Sequence, residues 1–206
     1  MKLKLFIIFT ICAHFVNGQI IITNIDSTKL PKEIKYVGHI INAVKYSDTL
    51  GTNYILTTET GKYSSKNSVG DDFENAALYV YHYIVKADSM KLLWRIYDFN
   101  KECEFDIYVR FIGKTFKVTD LNKNGLAEVW VMYENQCTSD VSPAPTKIIM
   151  YEGNKKYTIR GESKVQVSEK EFIGGQYSLD DNLKNGNPLF RQFAINLWEK
   201  HKLKKW

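Results

Sequence analysis

The chain has few of the residues that mark fibrous or metal-rich proteins. Its 206 residues include only four prolines, twelve glycines, three cysteines and four histidines. This composition excludes a collagen-like or proline-rich fibrous chain. The formal net charge of +5 is small and dispersed along the sequence. No nucleic-acid partner is therefore expected, because such proteins concentrate positive charge on one face.

The signature motifs of several enzyme classes are also missing. The sequence contains no G-x-S-x-G, no P-loop and no G-x-G-x-x-G. Beyond residue 18 the histidines are His39, His82 and His201, and none has the H-E-x-x-H spacing of a zinc hydrolase. His82 falls in the middle of a predicted strand, so we interpret it as a structural residue rather than a catalytic one.

Only one segment is strongly apolar, and it lies at the N-terminus. Lys2 and Lys4 precede the apolar run Leu5–Ala13, and Val16-Asn17-Gly18 provides a cleavage site. This order is typical of a secretory signal peptide, here residues 1–18. The run is shorter than the roughly 20 residues that cross a bilayer, and no other segment approaches that length. We expect an exported chain without a membrane span, although a buried N-terminal strand or helix is the alternative.

The cysteines agree with export. Cys12 leaves with the signal peptide, and its lipidation is disfavoured because the bulky Ile11 precedes it. Cys103 and Cys137 remain, an even pair in an oxidising compartment, which predicts a disulfide. Two free buried thiols are the alternative.

Aromatic residues are abundant, at 14% with 13 Tyr and 11 Phe, which favours strands. Alternating patterns predict strands at Gly38–Lys45, Asn53–Thr60, Ala77–Lys86, Leu92–Phe99, Ile107–Ile112, Thr115–Val118, Ala127–Tyr133, Thr146–Tyr151, Tyr157–Arg160 and Lys164–Val167. Most connections are too short for helical crossovers, so the sheet should be antiparallel. The polar stretch Gly61–Glu74 is predicted to be a loop.

The C-terminal segment is the only one with a helical pattern. Asn187 and Pro188 suit the first positions of a helix over about 188–203, and an apolar stripe follows. The lysines at its end suit the negative pole of the helix dipole, with a basic membrane-surface tail as the alternative. The predicted fold is a single all-β domain over 19–206. It is an antiparallel meander or sandwich with one C-terminal α-helix.

The segment Asp120–Glu128 has the spacing of a calcium loop. Gly125 permits a sharp turn at the sixth position. The oxygen donors would be Asp120, Asn122, Asn124, the carbonyl of Leu126, and Glu128. The segment resembles the short calcium loops of integrin-type extracellular β-repeats, and an ordinary Asn-Gly turn is the alternative.

Two further sets of side chains are candidates for binding or chemistry. The stripe Tyr79, Tyr81 and Tyr83 could stack on sugar rings, together with Trp94, Trp130 and Tyr108 on other strands, or could simply be half-buried strand residues. The acidic residues around Cys103 could include a carboxylate pair for glycoside hydrolysis, although such residues are usually solvated. These acidic residues are Asp98, Glu102, Glu104 and Asp106.

A family resemblance covers Val118–Gly161. It is carried by the T-D-L-x-x-x-G-x-A-E segment at Thr119–Glu128, by Cys137, by Asp140–Pro143 and by the Lys147–Met150 strand leading to Tyr157 and Arg160-Gly161. These features resemble a family of small exported proteins of Gram-negative bacteria named for surface polysaccharide biosynthesis.

The resemblance implies a role in the cell envelope, in the periplasm or at the cell surface, and names no catalytic residue. The expected function is a binding or assembly factor for surface polysaccharide, whose partners are envelope polysaccharide or envelope proteins, with a structural calcium ion as the only expected cofactor. The alternative is a secreted carbohydrate-active enzyme that uses acidic residues. An enzyme should show two carboxylates that converge in a cleft, whereas a binding module should show a flat aromatic face.

Overall fold

The computed structural model describes residues 19–66, 69–70, 72–87 and 89–204. The predicted signal peptide, residues 1–18, lies outside this range. The strands are β1 (Thr23–Asn24), β2 (His39–Asp48), β3 (Gly51–Glu59), β4 (Tyr63–Lys66), β5 (Asp72–Lys86), β6 (Ser89–Cys103), β7 (Asp106–Phe111), β8 (Lys117–Thr119), β9 (Glu128–Thr138), β10 (Pro145–Glu152), β11 (Lys155–Glu162), β12 (Lys164–Gln166), β13 (Phe172–Gly174) and β14 (Tyr177–Leu179). Two helices follow, α1 (Asp181–Asn185) and α2 (Pro188–His201).

The strands form two antiparallel six-stranded sheets and a small β12–β13 pair. The first sheet has the order β1-β2-β3-β5-β4. Strands β3 and β4 pair with successive parts of β5, and β6 pairs with β5 along nearly its whole length. The second has the order β14-β11-β10-β9-β7, with β8 also on β9. The predicted all-β antiparallel fold with a C-terminal helix is therefore confirmed, and its form is a sandwich.

The two sheets enclose one apolar core, built from alternate residues of each strand. Leu78 and Val80 of β5 point inward from the first sheet, and Val129 and Val131 of β9 point inward from the second. All four side chains are at most 3% exposed. The period of two along each strand thus decides which residues meet between the sheets.

Helix α2 covers the outer face of the second sheet. Asn187 caps the helix by accepting a hydrogen bond from the Leu189 N–H at 3.0 Å, and Pro188 occupies its first turn. The buried helix residues Phe190, Ala194, Leu197 and Trp198 pack on Trp130, Met132, Ile148, Met150 and Ile159 of the sheet. Gly161 permits this close approach, because a Cβ there would lie 2.9 Å from the Trp198 ring and 2.1 Å from the Gln176 carbonyl oxygen.

An irregular N-terminal segment, residues 25–37, covers part of the outer face of the first sheet. Ile34 of this segment is buried in a cluster with Leu56, Tyr81 and Tyr83. The Tyr83 hydroxyl donates to the Lys35 carbonyl at 2.6 Å and accepts from the Lys35 N–H at 3.2 Å. These bonds fix the segment to the tyrosine stripe.

A disulfide joins Cys103 at the end of β6 to Cys137 on β9, with a Cα–Cα distance of 5.9 Å. It connects the two sheets, and Cys103 is 2% exposed. The predicted pairing is confirmed, and a disulfide is typical of proteins in oxidising compartments.

The prediction of a loop over Gly61–Glu74 is wrong in part. Its residues include β4 and the start of β5, which pair antiparallel. The polar side chains that indicated a loop bond across this pair, since the Ser64 hydroxyl donates to the Glu74 carboxylate at 3.1 Å. Within the described ranges, no helix has the length and apolar character needed to cross a membrane.

Candidate functional site

The Asp120 segment forms a tight turn between β8 and β9. Lys123 and Gly125 have φ of 56° and 77°. The two carboxylate oxygens of Asp120 accept from the N–H groups of Asn124 and Gly125, each at 3.1 Å. The predicted turn is present, and the backbone of residues 124–125 curves around the Asp120 carboxylate to which it donates.

The two asparagines of the turn point their amide nitrogens at a residue from another strand. Asn122 and Asn124 donate to the same oxygen of Glu152 at 2.8 and 2.9 Å. Their amide oxygens accept backbone N–H groups within the turn. Glu152 ends β10 opposite Glu128 on β9, a pairing that short-range sequence spacing does not reveal.

Glu128 is fully buried and accepts two hydrogen bonds at the base of the turn. The Thr119 hydroxyl donates to it at 2.7 Å and the Leu121 N–H at 2.9 Å. Burial raises the pKa of Glu128, and the nearby carboxylates of Asp120 and Glu152 raise it further. The carboxyl groups of Asp120, Glu128 and Glu152 therefore lie close enough to interact electrostatically at this end of the sandwich.

The described ranges contain no group of three or more His, Cys, Asp or Glu side chains arranged to hold a metal ion. The turn instead combines carboxylate and amide oxygens. Each oxygen of Asp120, and the amide oxygens of Asn122 and Asn124, accepts one N–H and so keeps a second lone pair. Leu126 donates its N–H to Asn124 at 2.8 Å. This donor set is the type that calcium prefers.

The same turn also ties the second sheet to the first. The Thr49 N–H, from the β2–β3 turn, donates to the Gly125 carbonyl at 2.9 Å. Asp48 accepts from the Ala127 N–H at 3.2 Å and from the Asn53 amide at 2.8 Å. Any ligand that orders the turn would therefore stabilise the contact between the sheets.

The tyrosine stripe of β5 is covered at one end and open at the other. Tyr81 and Tyr83 are 4% and 8% exposed beneath the N-terminal segment. Tyr79 is half-buried at the margin of the same cluster and stacks on Tyr97 of β6 at 4.8 Å between ring centroids. Tyr97 in turn stacks on Phe99 at 4.9 Å. We call Tyr79, Tyr97 and Phe99 the aromatic face.

Two of the three rings of the aromatic face are exposed to solvent. Tyr97 and Phe99 are 42% and 44% exposed. Arg95 precedes them on the same side of β6, and the Lys101 amine lies 5.1 Å from the Phe99 ring centroid. Tyr97 and Phe99 were not singled out from the sequence, although their alternation in a predicted strand was the available signal.

The other aromatic candidates do not join this surface. Trp130 is fully buried under α2. Trp94 stacks on Tyr151 at 4.2 Å and donates its N–H to the Gly153 carbonyl at 2.9 Å. Tyr108 is on β7 in the second sheet and bonds to Gln136.

The acidic residues around Cys103 do not share one cleft. Asp98 points between the sheets, where it accepts from the Tyr133 hydroxyl at 2.9 Å and from Lys147. Although burial alone would raise the pKa of Asp98, these bonds hold it below its ordinary value. Glu102, Glu104 and Asp106 are exposed at the β6–β7 turn. The group therefore does not bring two carboxylates together in one cleft, as glycoside hydrolysis would need.

His82 lies between the sheets and is 2% exposed. Its Nε2 is 2.7 Å from the Asn53 amide oxygen, and its Nδ1 has no hydrogen-bond partner in the described part of the chain. The ring packs edge-on against Trp94 at 4.9 Å. Burial lowers the pKa of His82 to about 4, so the ring is neutral near pH 7.

The chain was compared with family models, curated proteins and solved structures, and none of them matches it.

Proposed function

We propose that this is an exported cell-envelope protein that acts as a binding or assembly factor for surface polysaccharide. The observation that carries the proposal is the aromatic face of Tyr79, Tyr97 and Phe99. Two further features support it: the disulfide, which is typical of a compartment outside the cytoplasm, and the sequence resemblance over 118–161.

A stacked row of rings, of which Tyr97 and Phe99 are exposed, suits a sugar chain. Solvent-exposed apolar surface of this kind marks an interaction site when it is contiguous. The C–H face of a pyranose packs on an aromatic ring, and the Tyr97 ring offers an apolar body with a hydroxyl at its edge. Arg95 and Lys101 flank the rings on β6 and supply donors for sugar hydroxyls.

Binding of envelope glycans by the purified protein tests this proposal. We expect the wild type to bind surface polysaccharide from the producing cells on a glycan array. The double variant Tyr97→Ala/Phe99→Ala should bind at least about tenfold more weakly, because aromatic anchors carry most of the energy at such sites.

Tyr36→Ala is the matched control, since Tyr36 is 41% exposed but belongs to the N-terminal segment. Its binding should equal that of the wild type. Absence of binding to every envelope glycan, or full binding by the double variant, would refute the proposal.

We also propose that the Asp120 turn holds a structural calcium ion. Asp120, Asn122, Asn124, the Leu126 carbonyl and Glu128 would hold it, with Glu152 as an additional carboxylate nearby. The ion would offset two of the three carboxylate charges and fix the β8–β9 turn against the first sheet. With few carboxylates the affinity should fall in the weak extracellular class, with Kd on the order of 0.1–1 mM.

Thermal unfolding with millimolar calcium or a chelator tests the calcium proposal. At ten times Kd, calcium should raise the free energy of unfolding by about 1.4 kcal/mol. Asp120→Ala should abolish this increment. Asp140→Ala should retain it, because Asp140 caps a different turn through the Ser142 N–H at 2.9 Å. An unchanged wild-type melting curve would mean that the segment is an ordinary Asn-Gly turn.

A further inference from the structure

A cleft opens on the second sheet, beside the C-terminal end of α2. One wall is the end of β7 and the turn that follows it, residues 110–114, and the other is the helix end and its extension, residues 200–204. Its volume is about 810 Å³. Pockets of roughly 300–1,000 Å³ are those that bind small organic molecules.

Main-chain hydrogen bonds fix both walls of the cleft. The Lys164 N–H donates to the Lys202 carbonyl at 2.7 Å, and the Lys204 N–H donates to the Lys164 carbonyl at 2.9 Å. On the other side, the Ile112 N–H donates to the Met132 carbonyl at 2.9 Å. Main-chain bonds therefore hold residues 202–204 in place, so this wall of the cleft is formed before a ligand arrives.

The lining of the cleft is strongly basic. Its titratable residues include one acid, Glu134, against the bases Arg110, Lys114, Lys200, His201, Lys202 and Lys204. Arg110 already engages Glu134 at 2.7 Å. Lys202 engages Glu199 at 2.6 Å, and Lys204 donates to the Gln136 amide oxygen at 3.0 Å and lies near the carboxylates of Glu134 and Asp140.

These engagements leave a positive excess. Within the described residues, Lys114 and Lys200 have no ion-pair partner. The helix dipole does not account for this excess, because it offers only about half a negative charge. Arg110 and Lys114 also come from β7 and its turn, so they are not helix-terminal residues at all.

The walls between these charges are apolar. Phe111, Ile112 and Leu203 line the cleft, and Leu203 is 43% exposed. At the margin, the Arg110 guanidinium lies 4.5 Å and the Lys204 amine 5.0 Å from the centroid of the Tyr108 ring. A bare ion would leave these apolar walls uncovered, whereas an organic molecule would contact them.

We propose that this cleft binds an organic oxyanion, namely a carboxylate or phosphate carried on a body the size of one or two sugar rings. The basic side chains bind the anionic group, and the apolar walls bind the body. This site lies on the second sheet and the aromatic face lies on the first, so the inference does not rest on the proposed function.

Isothermal titration calorimetry with the purified protein tests the proposal, using glucose 6-phosphate and a glucuronic acid oligomer as probes. Glucose and inorganic phosphate are the reference ligands. At least one of the two organic anions should bind about tenfold more tightly than both references, and which one binds identifies the anionic group. Raising the salt concentration should weaken this binding.

The variant Lys114→Gln/Lys200→Gln should lower that affinity about tenfold. Lys29→Gln/Lys32→Gln removes the same charge from the N-terminal segment and should leave the affinity unchanged. Three results would overturn the proposal: neither organic anion binds, inorganic phosphate binds equally well, or both double variants lose affinity alike.

Discussion

The two sheets of the sandwich have their outer faces covered in different ways. On the second sheet, α2 buries an apolar layer in which Trp130 and Trp198 are both fully inaccessible. On the first sheet, the N-terminal segment buries Tyr81 and Tyr83 but leaves Tyr97 and Phe99 exposed. The helix supplies a side chain at every turn along its length, whereas the irregular segment covers only the strip that it crosses. The comparison shows that exposure of aromatic residues here depends on the cover, not on the strand pattern.

The largest effect should come from removing a side chain beneath the helix. Trp198→Ala is expected to lower the free energy of unfolding by about 3–5 kcal/mol, because the cavity cannot collapse between helix and sheet. Urea unfolding measures this change. Leu189→Ala on the same helix should cost no more than about 0.5 kcal/mol, since Leu189 is 51% exposed. A loss below about 1 kcal/mol for Trp198→Ala would show that α2 is not an essential cover.

The free energy of unfolding should decrease in acid because His82 is buried between the sheets. His82 has a pKa of about 4 in the folded protein against an ordinary value of 6.5. As the pH falls from 6.5 to 4, the histidine of the unfolded chain becomes protonated while His82 in the folded protein stays neutral. The free energy of unfolding therefore decreases. The loss should reach about 3 kcal/mol at pH 4 and then level off.

The difference in unfolding free energy between wild type and His82→Gln isolates this effect from other titrating groups. It should change with pH between 6.5 and 4 and stay constant above pH 7. A difference that is constant across the whole range would show that water reaches the ring between the sheets.

A smaller effect should follow from loosening the N-terminal segment. Tyr83→Phe removes the hydroxyl that both donates to and accepts from the Lys35 backbone. The free energy of unfolding should fall by about 1 kcal/mol. Limited proteolysis should also cleave residues 25–37 faster than in the wild type. Tyr97→Phe, on the uncovered part of the sheet, should change neither quantity, and equal effects of the two variants would contradict the comparison.

The features that the sequence predicts well are those with local causes. The predicted strands Gly38–Lys45 and Asn53–Thr60 flank turn-forming residues, and they form the β2–β3 hairpin in which Asp48 pairs with Gly51. Helix α2 begins at its predicted cap and ends at His201, close to the predicted end. Both depend on neighbours within one turn or one strand.

The features that it misses depend on distant segments. Strand β4 is polar because it lies at the edge of its sheet, so its composition resembles a loop. Glu152 reaches Asn122 across a pairing of β9 with β10, 30 residues away. The division of the tyrosine stripe into covered and open parts is set by residues 25–37, which no periodicity connects to β5. The basic cleft likewise combines residues from β7 and from beyond α2.

The positions of the two covers along the chain have a consequence for the order of synthesis. The segment over the first sheet precedes every strand of that sheet except β1, so that sheet has its partial cover as soon as β5 is made. Helix α2 follows every strand of the second sheet, so Trp130, Met132, Ile148 and Met150 await a partner until residue 198 has emerged. A nascent chain that stops short of α2 would present a bare apolar surface, and such surfaces are the ones that aggregate or recruit chaperones.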